Sequence, residues 1–488
     1  MIDKKIVLAT LNSRFSHTSI ALRYLFANLE NLQDDALILE FVINEDNSRI
    51  AEQILNYRPI IVGLGVYIWN AKDIEQIIKI IKKISPQTII ILGGPEVSYE
   101  PFRVDFSQAD FIIQGEGEKP FFELCTNILN NKKMEQRIFP PSMQDFASLE
   151  TPYRFYNEND IQNRHIYFEA SRGCPFHCEF CLSSIDNKMR YLSIEQVLAE
   201  LEFLWQKGAR NFKFIDRTFN VYIEFGVAIL EYFLAKKEDY FLHFEVIPDN
   251  FPENLKNLIA KFHRNSLQLE VGLQTLNQQV AKNIKRNLRL DKIKENLHFL
   301  NHETTAHLHV DLIVGLPGEN LQSFGANLDE LINLTKSEIQ IGILKKLSGT
   351  TLGRHDEIFG NIWSDLPPYD ILQNNLIDFF AMQRMKRFSR FWDIVYNSGN
   401  FKNIFDLLIK DGKIFDKFLN FTDFVFENAK STSQISPQRM ATFLHQFLLG
   451  FEICTDSEFQ IAFEKDFEPK QSAKSAKKSS IKRQENWS

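Results

Sequence analysis

The sequence is poor in cysteine, has no excess of positive charge and contains no long apolar run. Its 56 Lys and Arg stand against 63 Asp and Glu, a formal charge of -7, so no global basic field gathers nucleic acid. Nothing approaches the roughly 18 apolar residues of a membrane-spanning helix. The longest candidate, IIVGLGVYIW at 60–69, reads better as a buried parallel strand and its exit loop. The first residues, MIDKKIVLAT, enter an apolar strand at once, without the h-region and cleavage site of a signal peptide. A cytoplasmic protein is expected, with neither a membrane nor a nucleic acid as partner. In that setting disulfides are rare, and clustered cysteines mean metal or redox chemistry.

Apolar residues at 44% and charged residues at 24% are ordinary globular values. At 488 residues the chain exceeds what one core usually supports, so two or three domains are expected. Residues 1–130 alternate short β runs (KKIVLATL, ALILEFVI, PIIVGLGV, TIIILGG, ADFIIQG) with amphipathic helical runs, the pattern of a doubly wound, Rossmann-like parallel sheet. Residues 131–163 are polar, carry Pro140, Pro141 and Pro152 and keep no sustained period, which reads as a linker. A second series, HIYFEAS, NFKFID, LHFEVI, LQLEVGLQT, HLHVDLIVGL and EIQIGILK, runs through 164–350 and predicts a partial (β/α)6 barrel with its chemistry at the strands' C-terminal ends. Residues 352–465 turn helical and Phe-rich. The basic stretch 466–488 is expected to be a disordered tail.

Three of the five cysteines stand together in ASRGCPFHCEFCLSS: Cys174, Cys178 and Cys181. Three thiolates hold three irons of a 4Fe-4S cube and leave the fourth open to an outside ligand. A structural zinc would need a fourth protein ligand, and His177, squeezed inside the loop, offers poor tetrahedral geometry. Three reduced structural cysteines are the other alternative. Cys125 and Cys454 sit in apolar periodicity and read as small core residues.

On that motif the chain resembles the radical S-adenosylmethionine (SAM) enzymes. The resemblance implies a 4Fe-4S cluster on the three cysteines and SAM on the open iron. A one-electron donor such as flavodoxin or ferredoxin would drive cleavage of SAM to a 5'-deoxyadenosyl radical. It implies Phe180 against the adenine. The segments FEVIPD, VGLQTLNQQVAKNIKR and VDLIVGLPGE look most like the branch that includes oxygen-independent coproporphyrinogen oxidase. By that likeness Glu245, Gln274 and Arg286 hold the methionine moiety, Asp311 binds the ribose, and Ile313 to Gly315 line the adenine side. A guanidinium suits a carboxylate and a carboxylate suits vicinal hydroxyls. Asp216, after NFKFI, is a further candidate for lining the site. Strand alternation puts His307 and His309 on the face of Asp311; His309 is a candidate proton donor, with a hydrogen-bonded core histidine as the ordinary alternative.

A doubly wound domain before such a barrel is similar to a cobalamin-binding domain, whose family carries DxHxxG, SxL and GG. Here FSHTSI, GVY and Gly93-Gly94 stand at comparable separations, with only His17 and the two glycines matching. The resemblance implies cobalamin contacts at His17, Gly65, Tyr67, Gly93 and Gly94. Without the Asp that normally stands behind it, His17 either ligates cobalt, touches the corrin without ligating, or serves the helix start. GEGE at 115–118 is a weak phosphate motif on its own. The chain as a whole resembles cobalamin-binding radical SAM proteins with an uncharacterised helical C-terminal domain. Methylation of an unactivated carbon is the expected reaction. A radical cyclisation or rearrangement and a non-catalytic iron–sulfur and corrinoid binding or sensing role are the alternatives. The substrate is not legible, and a methylthiotransferase would bring three further cysteines.

Overall fold

In the first strand, Ile6 and Leu8 turn to one face and Val7 and Ala9 to the other, and all four are buried. Period-2 alternation with both faces apolar requires cover on both sides. The computed structural model, which describes residues 3–410 and 412–467, shows that cover. Strands β1 (Ile6–Asn12), β2 (Ala36–Val42), β3 (Ile61–Gly65), β4 (Ile89–Gly93), β5 (Phe111–Gly115) and β6 (Ile138–Ser142) form a parallel sheet in the order β2-β1-β3-β4-β5-β6. Helices α1 (Ile20–Ala27) and α4 (Glu118–Leu129) bury Leu22, Phe121, Leu124 and Cys125 against Ile6, Leu8 and Ile61. Helices α2 (Asn47–Leu55) and α3 (Ala71–Ile84) bury Ile50, Ile54, Ile74 and Ile78 against Val7, Val62 and Leu64 on the other face.

The segment expected to be a linker is built into this sheet. β6 lies there, Ile138 opposite Ile112 and Phe139 opposite Ile113, and it includes Pro140 and Pro141. Proline, with no amide proton to donate, is tolerated in an edge strand, and the prolines hide the strand from any period-2 reading. Further on, Tyr153 and Tyr156 are fully enclosed, and α5 (Glu158–Asn163) starts with a capping box between Asn157 and Asp160.

The chain divides into two compact units, Met1–Phe244 with Lys346–Thr351 and Ser364–Tyr369, and Glu245–Lys345 with Leu352–Trp363 and Asp370–Ser488. The first continues beyond the sheet with β7 (Ile166–Phe168), the two-residue strands β8 (Ser171–Arg172) and β9 (Arg190–Tyr191), α6 (Ile194–Gln206), β10 (Asn211–Phe214), α7 (Ile223–Leu234) and the start of β11 (Phe241–Val246). β10 runs parallel to both β7 and β11. In the second, β12 (Leu267–Gln274), β13 (His307–Val314) and β14 (Glu338–Ile343) are parallel neighbours, separated in sequence by helices. All six strands expected of the second series are present, and the class is α/β with parallel sheets.

A short antiparallel pair, Ile362–Trp363 with Ile371–Gln373, precedes the helical region. Helix 379–392 then buries Met382, Met385, Phe388 and Trp392 and covers β14. Ser389 donates to the Ile341 carbonyl at 2.5 Å, and Asn397 exchanges hydrogen bonds of 2.9 Å with both backbone groups of Ile339, so the backbone of an edge strand is closed. The Phe-rich character is core: Phe388, Phe418, Phe421 and Phe447 are buried and in ring contact along the series. Residues 466 and 467 end a helix, Asp456–Phe467; the remainder of the expected tail lies outside the described residues. No helix among the described residues is long and apolar enough to cross a membrane.

A buried charge cluster ties α1, β2 and α5 together. Arg23 reaches Glu40 at 2.7 Å and Asp160 at 2.8 Å, and Arg164 reaches the same two carboxylates at 2.9 Å each. Burial alone would push the Glu40 carboxyl up, but Arg23 and Arg164 hold it below its ordinary value. Such a group contributes stability above its unfolded pKa and loses it as pH falls through the folded one. Arg23→Met is therefore expected to cost roughly 3–5 kcal/mol at pH 7, the penalty for stranding one partner of a buried pair. Denaturant unfolding of wild type and variant from pH 7 to 4 should show the gap narrowing as Glu40 takes up a proton.

Candidate functional site

The cysteine loop begins where β8 ends. β8 and β9 pair antiparallel, Ser171 with Tyr191 and Arg172 with Arg190, closing the loop at its base. Gly173 has φ +91°, and a Cβ there would lie 2.5 Å from the Lys188 carbonyl, so only glycine fits the turn into Cys174. The Cys174 amide donates to the Asp186 carbonyl at 2.9 Å. Ser184 Oγ donates to the carbonyls of Cys178 at 2.9 Å and Cys181 at 2.7 Å.

Cys174 and Cys178 are buried, Cys181 is half-buried, and none is in a disulfide. Burial pushes the Cys174 thiol up, and the neighbouring Cys181 and Cys178 add to the rise. Three apposed sulfurs resist ionising together unless a cation shares their charge, which is the condition a metal cluster meets. Among the described residues no three His, Cys, Asp or Glu side chains converge as one metal ion requires, and His177 is exposed. By residue type, three thiolates without a fourth protein ligand suit a multi-iron cluster with one open iron better than a four-coordinate zinc ion.

Gly65, Tyr67, Gly93 and Gly94 line one cavity of about 390 Å³ at the C-terminal ends of β3 and β4. Its walls are mostly apolar, Leu25, Ile113 and Phe121 among them. A side chain at Gly93 would meet nothing closer than 3.8 Å, so its space belongs to the cavity, whereas Gly94, at φ +107°, would put a Cβ 2.6 Å from the Val66 carbonyl. This glycine-walled, apolar slot fits a large planar group approached by backbone. The same cavity is lined by Arg172 and Leu182, which bracket the three cysteines.

Sequence reasoning missed Arg172 and the GEGE carboxylates. Arg172 is half-buried and reaches Glu118 at 2.7 Å, Glu169 at 3.2 Å and Glu116 at 3.5 Å. Arg190 joins Glu116 at 2.7 Å to Asp186 at 2.5 Å. Burial pushes the Glu169 carboxyl up and Arg172 works against that rise. The only signal available was compositional, a lone arginine before Gly-Cys and two glutamates 54 or more residues upstream.

His17 stands apart from the cavity lining. Its Nδ1 lies 2.5 Å from Tyr167 Oη and its ring 5.8 Å from that of His165. Burial first, then the positive charge of His165, Lys213, Arg14 and Arg164, pushes its pKa down to about 4, so it is neutral at pH 7. Asp216 is buried beside the cysteine loop, accepting from Ser171 Oγ at 2.5 Å and from the Ala170 amide at 3.2 Å; burial pushes it up to about 7. Phe180 is half-buried on the same loop.

In the second unit, Arg286 Nη2 donates to the Gly272 carbonyl, and Gln274 Nε2 would lie 3.2 Å from a Cβ on Gly272. Gln274 occupies the left-handed region at φ +74° where the β12–β13 register slips. Gly272 is opposite Asp311 in β13, so Gln274, Arg286 and Asp311 gather at one end of this strand pair. Ile313 and Gly315 follow at the end of β13; a Cβ on Gly315 would lie 2.8 Å from Ile371. Glu245 is half-buried in β11. His309 is buried, and His307 pairs with Glu338 at 3.2 Å. Glu319, after the Pro317-Gly318 turn, is wholly buried and accepts from Thr275 at 3.0 Å and Asn327 at 2.8 Å.

Three sequence families match the chain: the radical SAM superfamily over residues 168–331, the B12 binding domain over 6–124, and a protein family of unknown function, DUF4080, over 357–486. An uncharacterized methyltransferase, PH0819, of Pyrococcus horikoshii is 27% identical over 225 residues, covering 41% of this chain and 49% of that protein. The cobalamin-dependent radical SAM methyltransferase TokK of Streptomyces tokunonensis is 22% identical, covering 59% and 47%. The chain thus spans about half the length of these relatives. The structure of the cobalamin-dependent SAM radical enzyme OxsB with aqua-cobalamin and SAM bound superposes with a TM-score of 0.64 at 14% identity, covering 95% of this chain and 84% of that one, a likeness of fold.

Burial pushes the Glu319 carboxyl up to about 8. Between the ordinary glutamate value and 8 the folded state binds a proton that the unfolded chain has released, so stability falls as pH rises through that interval. Glu319→Gln keeps an acceptor and removes the titration. It is expected to match wild type near pH 5 and to exceed it at pH 8 by roughly 2–4 kcal/mol, as read from denaturant midpoints.

Proposed function

We propose that the chain, which matches the radical SAM superfamily over residues 168–331 and the B12 binding domain over 6–124, is a cobalamin-dependent methyltransferase that acts on an unactivated carbon. The observation that carries the proposal is the shared cavity. One apolar slot is lined both by the glycines of the B12-matching sheet and by Arg172 and Leu182 of the cysteine loop. A methyl carrier and a radical source have to stand side by side for the methyl group to reach a carbon radical before it is quenched.

In this reading Cys174, Cys178 and Cys181 hold the iron–sulfur cluster, and Gly65, Tyr67, Gly93 and Gly94 hold cobalamin. Gln274, Arg286, Asp311, Ile313 and Gly315, with Glu245 and Phe180, are assigned to SAM. When bound, the cluster with SAM supplies a 5'-deoxyadenosyl radical, and the corrinoid supplies a methyl group. The protein's own contribution is orientation and dryness. Arg286 donates to the Gly272 carbonyl, and a guanidinium suits the carboxylate of SAM. The apolar lining of the cavity keeps water from reactive species. A cytoplasmic setting and an external one-electron donor such as flavodoxin or ferredoxin complete this reading.

Anaerobic reaction of the reconstituted protein with SAM, reductant and hydroxocobalamin should yield S-adenosylhomocysteine beside 5'-deoxyadenosine, with the former lost when hydroxocobalamin is omitted. Formation of 5'-deoxyadenosine alone would exclude methyl transfer and leave a radical rearrangement. Failure to consume SAM with the cluster intact would point to a binding or sensing protein.

A further inference from the structure

The GEGE turn, a weak phosphate motif by sequence, places one carboxylate oxygen in a buried position that no described residue satisfies. Glu118 is the first residue of α4 and is more than nine-tenths buried. Its Oε1 takes the Arg172 guanidinium at 2.7 Å, but its Oε2 is buried with no hydrogen-bond partner. Glu118 lines the glycine-walled cavity. A buried carboxylate oxygen without a donor is among the least tolerated arrangements in a folded protein, and a ligand that brings the donor recovers the deficit. The lining is mostly apolar side chains and glycine backbone, and although Tyr24, Tyr67, Ser98 and Tyr99 also line the cavity, none of them hydrogen-bonds Oε2.

We propose that Glu118 is a corrinoid-binding residue, its Oε2 accepting a hydrogen bond from an amide N–H carried on the periphery of the bound corrinoid. This rests on the reading of the cavity as the cobalamin site. Corrinoids carry a rim of primary amides around an apolar macrocycle, which matches a cavity of apolar walls with one orphaned acceptor. Arg172 fixes the orientation of that acceptor: engaged with Oε1, and stacked at 4.6 Å from the Phe146 ring and 4.9 Å from the Tyr24 ring, it leaves Oε2 as the carboxylate's remaining acceptor. Arg172 lies two residues before Cys174, so the contact also joins the bound corrinoid to the start of the cluster loop.

The test is equilibrium binding of hydroxocobalamin and of its b-, d- and e-monocarboxylate derivatives, followed by visible absorbance, to wild type, Glu118→Gln and Glu118→Ala. In each derivative one rim amide has become a carboxylate. Wild type should bind at least one derivative roughly tenfold or more weakly than hydroxocobalamin, because that derivative sets two carboxylates against each other. Glu118→Gln, which has an amide proton to give, should abolish that penalty, and Glu118→Ala should weaken binding of the parent. Iron content and melting temperature of each variant establish that it is folded, and the wild-type comparison among derivatives needs no variant at all. Equal binding of all four corrinoids by wild type, or a penalty that persists in Glu118→Gln, would overturn the assignment. Failure of wild type to bind hydroxocobalamin would overturn the cobalamin reading itself, and this assignment with it.

Discussion

One guanidinium holds the two halves of the candidate site in register. Arg172 sits among the carboxylates of Glu116, Glu118 and Glu169, two from the loop after β5 and one from the end of β7, and it opens the turn that carries the cysteines. Burying this many charges is tolerable only because they satisfy one another. Moving the loop would strand carboxylates in an apolar setting. The pairing of Arg190 with Glu116 and Asp186, and of the Asp186 carbonyl with the Cys174 amide, carries that constraint to the first cysteine. The cavity and the cysteine loop are thus joined by one network of charges.

What sequence makes legible follows the length scale of the interaction. The parallel strands are short apolar runs that need cover on both faces, so β1 to β5 and the six strands of the second series can be read from composition alone. The cysteine motif is equally local, since three thiolates within eight residues have few uses. The edge strand β6 escapes because Pro140 and Pro141 break its pattern and because an edge position demands little of a sequence. Arg172 and Glu118 escape because their meaning is a contact across 54 residues, invisible to any window. His17 is legible only through a motif match. The motif match assigns it to the corrinoid; the structure shows it in contact with Tyr167 and His165 and not among the residues lining the cavity.

The C-terminal region has a structural role that its composition disguises. Many of its aromatic residues, part of the 44 phenylalanines in the chain, are consumed in core contacts, Phe388, Phe418, Phe421 and Phe447 among them, while Phe379, Phe380 and Phe451 are exposed. Its first long helix and the turn that follows close the open backbone of β14, through Ser389 and Asn397 respectively. An uncovered edge strand invites pairing with another chain, so the helix protects the strand series that ends in Asp311 and its neighbours.

The central claim is that this chain carries two cofactor sites, a cluster on the three loop cysteines and a corrinoid in the glycine-walled cavity. Iron, sulfide and cobalt content after anaerobic reconstitution with hydroxocobalamin and desalting, for wild type and for the combined Cys174, Cys178 and Cys181→Ala variant, tests it directly. The account predicts about four irons and one cobalt per chain in wild type, with the iron lost and the cobalt retained in the variant. Iron without cobalt in wild type would contradict it and leave a radical enzyme that works without a corrinoid.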